Sequence, residues 1–133
     1  MNAPTITKQD IDDLLRFLPA LSQQNRSFGK WKGFDKEKGL LHMPHFNYDP
    51  DVEQFFQLAA QYCWHDYSYI DRDAPRMLQD KDFIKRANLD EIRVMLIACV
   101  RGERFYEGFR LSCLKQGLVQ ALLNRLKVIR DEL

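Results

Sequence analysis

The sequence has few cysteines, no long apolar run and almost no net charge, and each shortage excludes a class of protein. Its three cysteines are an odd number and too few for a disulfide framework. Because the N-terminus also has no export pattern, we expect free thiols in a reducing cytoplasm. The longest apolar run, Val94 to Val100, is much too short to cross a bilayer. A formal charge of +1 provides no overall field to attract nucleic acid or an anionic membrane.

What is present is the composition of an ordinary globular domain. Hydrophobic residues make up 45% of the chain and charged residues 29%, values that exclude a disordered tail. A chain of 133 residues can bury a substantial core without disulfides or a structural metal. We therefore predict a single domain over residues 1–133.

Two helices in the first half are marked by their starts. Thr7, with Asp10 three residues later, is a candidate N-cap for the first helix. Asp49 can cap the second and Pro50 suits its first position, with the cap contributing about 1 kcal/mol. The second helix has a wide apolar stripe that we expect to be buried: Val52, Phe55, Phe56, Ala59, Ala60, Tyr62 and Cys63.

The second half predicts a loop, a short helix and then a central helix. The loop covers residues 71–79, and the short helix runs from about Lys81 to Ala87. Asn88 or Asp90 can cap the next helix, which has few polar residues and is a candidate for the centre of the domain. Its buried face comprises Ile92, Met95, Leu96, Cys99 and Val100.

Three glycines divide the last third of the chain. Gly102 could end the central helix in a left-handed conformation, so that another helix starts at 103–105. Gly108 within that helix would cost about 1 kcal/mol, which indicates close approach of a backbone, an aromatic ring or a ligand. Gly117 is the predicted C-terminal cap, and a last helix follows. Its inward residues are Val119, Leu122, Leu123, Leu126 and Ile129.

The helical period disappears between Ser27 and Tyr48, where glycines interrupt the chain around a charged turn. Apolar residues on both sides of that turn predict a two-stranded hairpin with one apolar face. Because a lone hairpin is only marginally stable, Phe28 and Trp31 should pack against helices. The predicted fold class is mainly α: a compact array of about five or six helices with a small β-hairpin near residues 27–48.

Charged residues, aromatics and glycines crowd together over residues 101–108. Glu107 is three residues from both Arg104 and Arg110, a spacing that allows ion pairs along a helix. A salt-bridged helix junction is therefore the structural interpretation. The functional interpretation is an anion or polar-ligand site, with arginines as donors and Glu103 as acceptor or general base.

Histidine and cysteine give weaker signals. Four potential metal ligands exist, but their spacing matches no familiar zinc pattern: His42, His45, Cys63 and His65. We therefore expect no metal, and with no Gly-rich phosphate loop we expect no cofactor. His65 beside Asp66 could be an oriented base, but no serine or cysteine is placed by the sequence to be its nucleophile.

The end of the chain has a second possible interpretation. The helix before Gly117, the glycine turn and the last helix are similar to a helix-turn-helix, in which Arg125, Lys127 and Arg130 would face phosphates. Glycine-joined helices are common in domains that never touch DNA, and the near-neutral charge argues against nucleic acid as a partner. DNA binding stays an alternative.

Several short motifs resemble the signature of a small bacterial domain family of unknown function. They are Phe28-Gly29-Lys30-Trp31, Met43-Pro44-His45-Phe46-Asn47-Tyr48, Trp64 with Asp66-Tyr67, and Arg101-Gly102-Glu103-Arg104-Phe105 with Gly108. The resemblance covers about Leu14 to Leu126. It implies a stand-alone domain of this size, with the hairpin and the late helices as its recognisable pieces, and it supplies no activity, substrate or cofactor.

The chain departs from that family pattern at one place. Members often have Cys, Asp, Gly and His after the Arg-Gly-Glu-Arg-Phe string, whereas this chain has Tyr106, Glu107, Gly108 and Phe109. A mechanism that used this cysteine or histidine would therefore be lost here. The shared polar groups are Arg101, Glu103 and Arg104.

We predict a binding module whose partner is a small molecule or a protein. Arg101, Glu103 and Arg104 should line the site, and its possible walls are Trp31, Trp64, Asp66 and Tyr67. The enzyme alternative uses Glu103 or Asp66 as a general base and arginines to bind an anionic group. No membrane association is expected, and the oligomeric state does not follow from the sequence.

Overall fold

The computed structural model describes residues 5–35, 40–66 and 72–133, with the backbone alone at 34, 35 and 40–44. It confirms a mainly helical fold with one antiparallel β-hairpin. The elements in chain order are α1 (Lys8–Leu15), α2 (Leu18–Leu21), β1 (Gly29–Asp35), β2 (Leu40–Tyr48), α3 (Pro50–Ala59), a 3-10 turn (Tyr62–Trp64), α4 (Ala74–Leu78), α5 (Lys81–Arg86), α6 (Leu89–Gly102), α7 (Phe109–Lys115) and α8 (Leu118–Glu132).

Local side-chain caps start α1 and α6. Thr7 Oγ1 accepts from the Asp10 N–H at 3.2 Å, and the Asp10 carboxylate accepts from the Thr7 N–H at 2.9 Å. Asn88 and Glu91 form the same reciprocal pair, at 2.8 and 3.0 Å. Each pair satisfies two backbone donors that have no partner within the helix. The predicted cap at Thr7 is confirmed, and Asn88 is the cap of α6.

The predicted capping bond at the start of α3 is wrong. Asp49 occupies the N-cap position and Pro50 is the first helical residue, but the Asp49 side chain makes no capping hydrogen bond. Its carboxylate instead lies 3.3 Å from Arg26, which also pairs with Asp51. The guanidinium of Arg26 thus ties the loop before β1 to the first turn of α3.

Two further predictions need correction. Residues 71–79 were expected to form a loop, but α4 occupies residues 74–78 with Pro75 in its first turn, where its missing N–H costs nothing. Tyr62 was expected in the buried stripe of α3, but it is 72% exposed. Since α3 ends at Ala59, the helical period no longer determines which way Tyr62 faces.

The core lies around α6 and α8, as the apolar patterns of both helices predict. Every residue of α6 from Ile92 to Val100 is buried, and α6 packs against α3, α4, α7 and α8. Helix α8 in turn packs against α1, α2, α5 and α7. All five residues predicted to face inward on α8 are buried. The hairpin lies beside this array, and the buried Phe28 precedes its first strand.

The chain between α6 and α7 differs from the prediction. Helix α6 ends at Gly102 in the right-handed region, and the left-handed residue is Gly108, with φ of 86°, which starts α7. Position 102 needs a glycine for a different reason: there is no room for a side chain, because an added Cβ would lie 2.2 Å from the ring of Phe109. Residues 103–108 therefore form a turn between two helices and are not the start of a helix. We call this segment the junction turn.

Candidate functional site

The hairpin lays one aromatic face against the junction turn. Trp31 pairs with Phe46 across the two strands, and Tyr48 follows Phe46 on the same face. The ring centroids of these neighbours are 5.4 and 4.7 Å apart. At the turn, the Phe46 N–H donates to Glu107 at 3.2 Å, and a Cβ on Gly108 would lie 3.0 Å from the indole of Trp31. The glycine thus allows the indole to pack on the backbone.

The carboxylate of Glu103 accepts three hydrogen bonds. Its Oε1 accepts from the Tyr48 hydroxyl at 2.8 Å and from the Arg110 N–H at 2.9 Å, and its Oε2 accepts from the Gly108 N–H at 2.8 Å. The Tyr48 hydroxyl in turn accepts from the Leu111 N–H at 2.9 Å. A negative charge is thereby held against the positive N-terminus of α7, where helical N–H groups have no partners of their own.

The hydroxyl of Tyr48 is a permanent donor in this network. Burial raises the pKa of Tyr48 well above its usual 10, and the hydrogen bond to Glu103 raises it further. The hydroxyl is therefore neutral across the physiological range. It joins the hairpin, the end of α6 and the start of α7 at one point.

The ion pairs predicted for Glu107 with Arg104 and Arg110 are absent from the described residues. The spacing argument assumed a continuous helix, and the junction turn removes that geometry. Glu107 accepts a backbone N–H of the hairpin instead. Carboxylates that accept from backbone N–H groups and from the Tyr48 hydroxyl connect the hairpin, the junction turn and α7.

A pocket of about 220 Å³ opens at the C-terminal end of α6. We call it the arginine pocket. Its described lining contains three arginines and one histidine but no carboxylate: Ala60, His65, Ile97, Val100, Arg101, Arg104 and Arg110. Several guanidinium groups that line one small pocket favour an anionic group there.

Arg110 is held in place by two contacts. Its Nε donates to the Val100 carbonyl at 2.9 Å, and its guanidinium carbon lies 4.9 Å from the centroid of the Phe56 ring. The bond to Val100 satisfies a carbonyl in the last turn of α6, where carbonyl groups lack helical partners. The guanidinium has five N–H donors, so terminal donors remain for the pocket.

His65 and Asp66 are adjacent in sequence but lie in different surroundings. His65 Nε2 is 2.7 Å from the Ala60 carbonyl, and its ring lies against that of Tyr62, with centroids 6.2 Å apart. Asp66 accepts from Arg72 at 3.0 Å, and Arg72 also pairs with Asp90 at 2.6 Å. His65 lines the arginine pocket, whereas Asp66 belongs to an ion-pair network with Arg72 and Asp90.

The structure brings only part of the predicted site together. Arg101 and Arg104 line the arginine pocket, whereas Glu103 does not and is engaged at the start of α7. Trp31 is 48% exposed over Gly108, and Trp64 is 1% exposed within the core. The prediction for Tyr67 lies outside the described residues.

Sequence reasoning missed Arg110 and His65 as pocket residues. Arg110 was interpreted only as a helical partner of Glu107. For His65 the sequence predicts only a possible base beside Asp66. No local pattern indicates Arg110, because it reaches the pocket only when α7 turns back toward the end of α6. The one available signal was the mixture of aromatic and polar residues around His65, from Trp64 to Tyr67.

Two other predicted sites can be placed. Arg125 donates to the Ala87 carbonyl at 2.8 Å and Arg130 pairs with Asp12 at 2.9 Å, so two of the three basic groups of the helix-turn-helix alternative are engaged within the domain, while Lys127 is exposed. No group of three metal-ligating side chains occurs among the residues with described positions. None of the helices in those ranges is long and apolar enough to span a membrane.

Comparison with known proteins identifies a family for this chain. A family model described as "Family of unknown function (DUF6508)" matches residues 6–132. No curated protein and no solved structure shows significant similarity to the chain. The match confirms the resemblance to a family of unknown function, while the Arg-Gly-Glu-Arg-Phe string stays a prediction as its signature.

Proposed function

The chain belongs to the DUF6508 family of unknown function, and we propose that it is a binding module whose ligand places an anionic group in the arginine pocket. Arg101, Arg104 and Arg110 act as donors, and His65 forms part of the wall. We further propose that the domain works in a bacterial cytoplasm. The resemblance and the three free cysteines support this setting.

The observation that carries the proposal is the charge imbalance at the pocket. Neither Arg104 nor Arg110 makes an ion pair within the described residues. Two guanidinium groups that face the same small space repel each other, and an anion between them removes that repulsion. Arginine forks also match the paired oxygens of carboxylate and phosphate groups.

The enzyme alternative receives less support from the contacts. Glu103 accepts three hydrogen bonds, and Asp66 is paired with Arg72. Neither carboxylate belongs to the described lining of the arginine pocket. A general base must be within hydrogen-bond reach of the proton that it takes. We therefore prefer a binding function to an enzymatic one for this domain.

Isothermal titration with pyrophosphate at low salt tests the proposal. Arg104→Ala should weaken binding by about 10- to 100-fold, the worth of a charge-assisted hydrogen bond. Arg104→Lys, which keeps the charge but not the fork, should fall between that variant and wild type. Arg16→Ala is the matched control, because this arginine is also exposed but lies at the end of α1.

Two outcomes would count against an anion site. The first is that wild-type protein binds neither pyrophosphate nor sulfate at low salt. The second is that Arg104→Ala and Arg16→Ala weaken binding equally, which would indicate diffuse surface charge and no defined pocket.

A further inference from the structure

Exposed aromatic side chains gather around the arginine pocket and the junction turn. In the described ranges the largely exposed rings are Trp31 at 48%, Tyr62 at 72%, Phe105 at 76% and Tyr106 at 69%. Phe105 and Tyr106 follow the pocket residue Arg104 directly, and Tyr62 lies against the pocket residue His65. Single exposed apolar residues are common on protein surfaces, but a group at one place indicates an interaction site.

Arginines lie beside these rings, and the neighbouring carboxylates of Glu103 and Glu107 accept from backbone N–H groups. Arg104 and Arg110 line the pocket without an ion-pair partner in the described part of the chain. On the hairpin, the exposed Lys30 and Lys32 flank Trp31 in the strand and lie on the face opposite its indole. The chain as a whole is almost neutral, so this cationic surface is local. A local surface of this kind suits a short ligand rather than a long duplex.

We propose that the bound anion is the phosphate of a nucleotide unit, either free or within a single-stranded nucleic acid, whose base stacks on the exposed rings. The inference rests on the proposed anion-binding function and names the ligand class. A terminal phosphate has three acceptor oxygens and more charge than a carboxylate, and so can engage two guanidinium groups at once. Within a single strand, successive phosphodiesters can each engage one guanidinium group. Cationic grooves beside aromatic rings are how proteins hold single strands without reading their sequence.

An acidic surface of a partner protein is the competing occupant. Aromatic and arginine residues also dominate protein interfaces. One carboxylate matches one arginine fork, however, whereas one terminal phosphate can accept from both guanidinium groups at this pocket. The charge of the pocket therefore favours phosphate, and the experiment below includes the acidic polymer as a competitor.

The test is fluorescence anisotropy of fluorescein-labelled dT12 at low salt, with unlabelled competitors. Unlabelled dT12 and adenosine monophosphate should compete better than inorganic phosphate at equal concentration. The double variant Phe105→Ala, Tyr106→Ala should weaken binding by about 5- to 100-fold, as expected for the loss of base stacking. Val128→Ala, an exposed apolar residue on α8, is the control and should leave binding unchanged. Circular dichroism confirms that each variant is folded.

The outcomes separate this inference from the anion pocket itself. If Arg104→Ala abolishes binding but the aromatic double variant does not weaken it, the pocket takes anions without a base and the inference is overturned. Competition by polyglutamate as strong as by dT12 at equal charge would assign the site to an acidic protein and overturn it too. Failure of every anion to bind would refute the pocket as well.

The same titrations distinguish the two sources of a nucleotide unit. If adenosine monophosphate binds within about tenfold of dT12, one unit supplies most of the affinity and the ligand is a free nucleotide. A much larger gap indicates a strand that uses several rings and phosphates together, with a marked loss of affinity as salt rises.

Discussion

Replacing Glu103 by glutamine tests whether this residue belongs to the scaffold. The carboxylate receives three donors: the Tyr48 hydroxyl, the Arg110 N–H and the Gly108 N–H. Glutamine has the same shape but only one oxygen, and its second position carries an NH₂ group. The best placement keeps the two bonds to the first oxygen and turns the amide NH₂ toward the Gly108 N–H.

The expected cost follows from these contacts. Hydrogen bonds to a charged group contribute about 1.5–3 kcal/mol and neutral ones about 0.5–1.5 kcal/mol, so the two retained bonds each weaken by about 1 kcal/mol. The unpaired Gly108 N–H adds about 1–3 kcal/mol if water cannot reach it. Because Glu103 is only half-buried, solvent offsets part of this loss. We expect Glu103→Gln to lower the free energy of unfolding by about 2–4 kcal/mol.

The assay is urea unfolding followed by tryptophan fluorescence, to which the buried Trp64 contributes. Glu107→Gln is the matched control at the same turn. Its amide oxygen can still accept the single Phe46 N–H bond, and the residue is exposed, so the cost should be at most about 0.5 kcal/mol. If Glu103→Gln is as stable as wild type, or more stable, the carboxylate does not stabilise the fold. Glu103 would then again be a candidate general base.

Two further predictions follow from the described contacts. Gly102→Ala should destabilise the fold by about 1–2 kcal/mol, because the added methyl group clashes with Phe109. Gly117→Ala should cost about 1 kcal/mol through its φ of 76° alone. A Gly102→Ala variant that is more stable than wild type in thermal unfolding would contradict the first expectation. The hydrogen bond from Arg26 holds the pKa of Asp51 below its usual 3.8, so this carboxylate stabilises the fold at neutral pH and loses that effect as pH falls below about 3.8 toward its folded pKa. Asp51→Asn should therefore be less stable than wild type at pH 7, and urea unfolding curves of the two proteins should converge in acid; a constant difference would refute the ion pair as the cause.

Local contacts explain why several helix ends were predictable. The Thr7–Asp10 pair spans three residues and involves only its own helix, so sequence order alone brings its groups together. Gly117 is predictable for a similar reason, because the left-handed conformation that ends α7 suits a residue without a side chain. Tertiary packing did not need to be known for either feature.

Competition between partners explains the predictions that failed. Asp49 has the right position to cap α3, but its carboxylate instead accepts from Arg26, which lies 23 positions away in the sequence. Glu107 has the spacing of a helical ion pair, but the hairpin offers it a backbone donor 61 positions away. In both cases the group that replaces the local partner is distant in the sequence, and for Glu107 the junction turn also removes the geometry of the helical pair. No local pattern contains either outcome.

The sequence by itself determined the helical class, the hairpin, the buried faces of α6 and α8, and the crowding of charge at residues 101–108. Hydrophobic periodicity and helix caps depend on residues a few positions apart, so the sequence alone shows them. Only the tertiary structure decided what that charge does. Tyr48, 55 positions from Glu103, draws the carboxylate to the start of α7, while Arg110 turns back to join Arg104 at the pocket. The division between scaffold and candidate site is set by contacts that exist only after the hairpin and α7 have packed against α6.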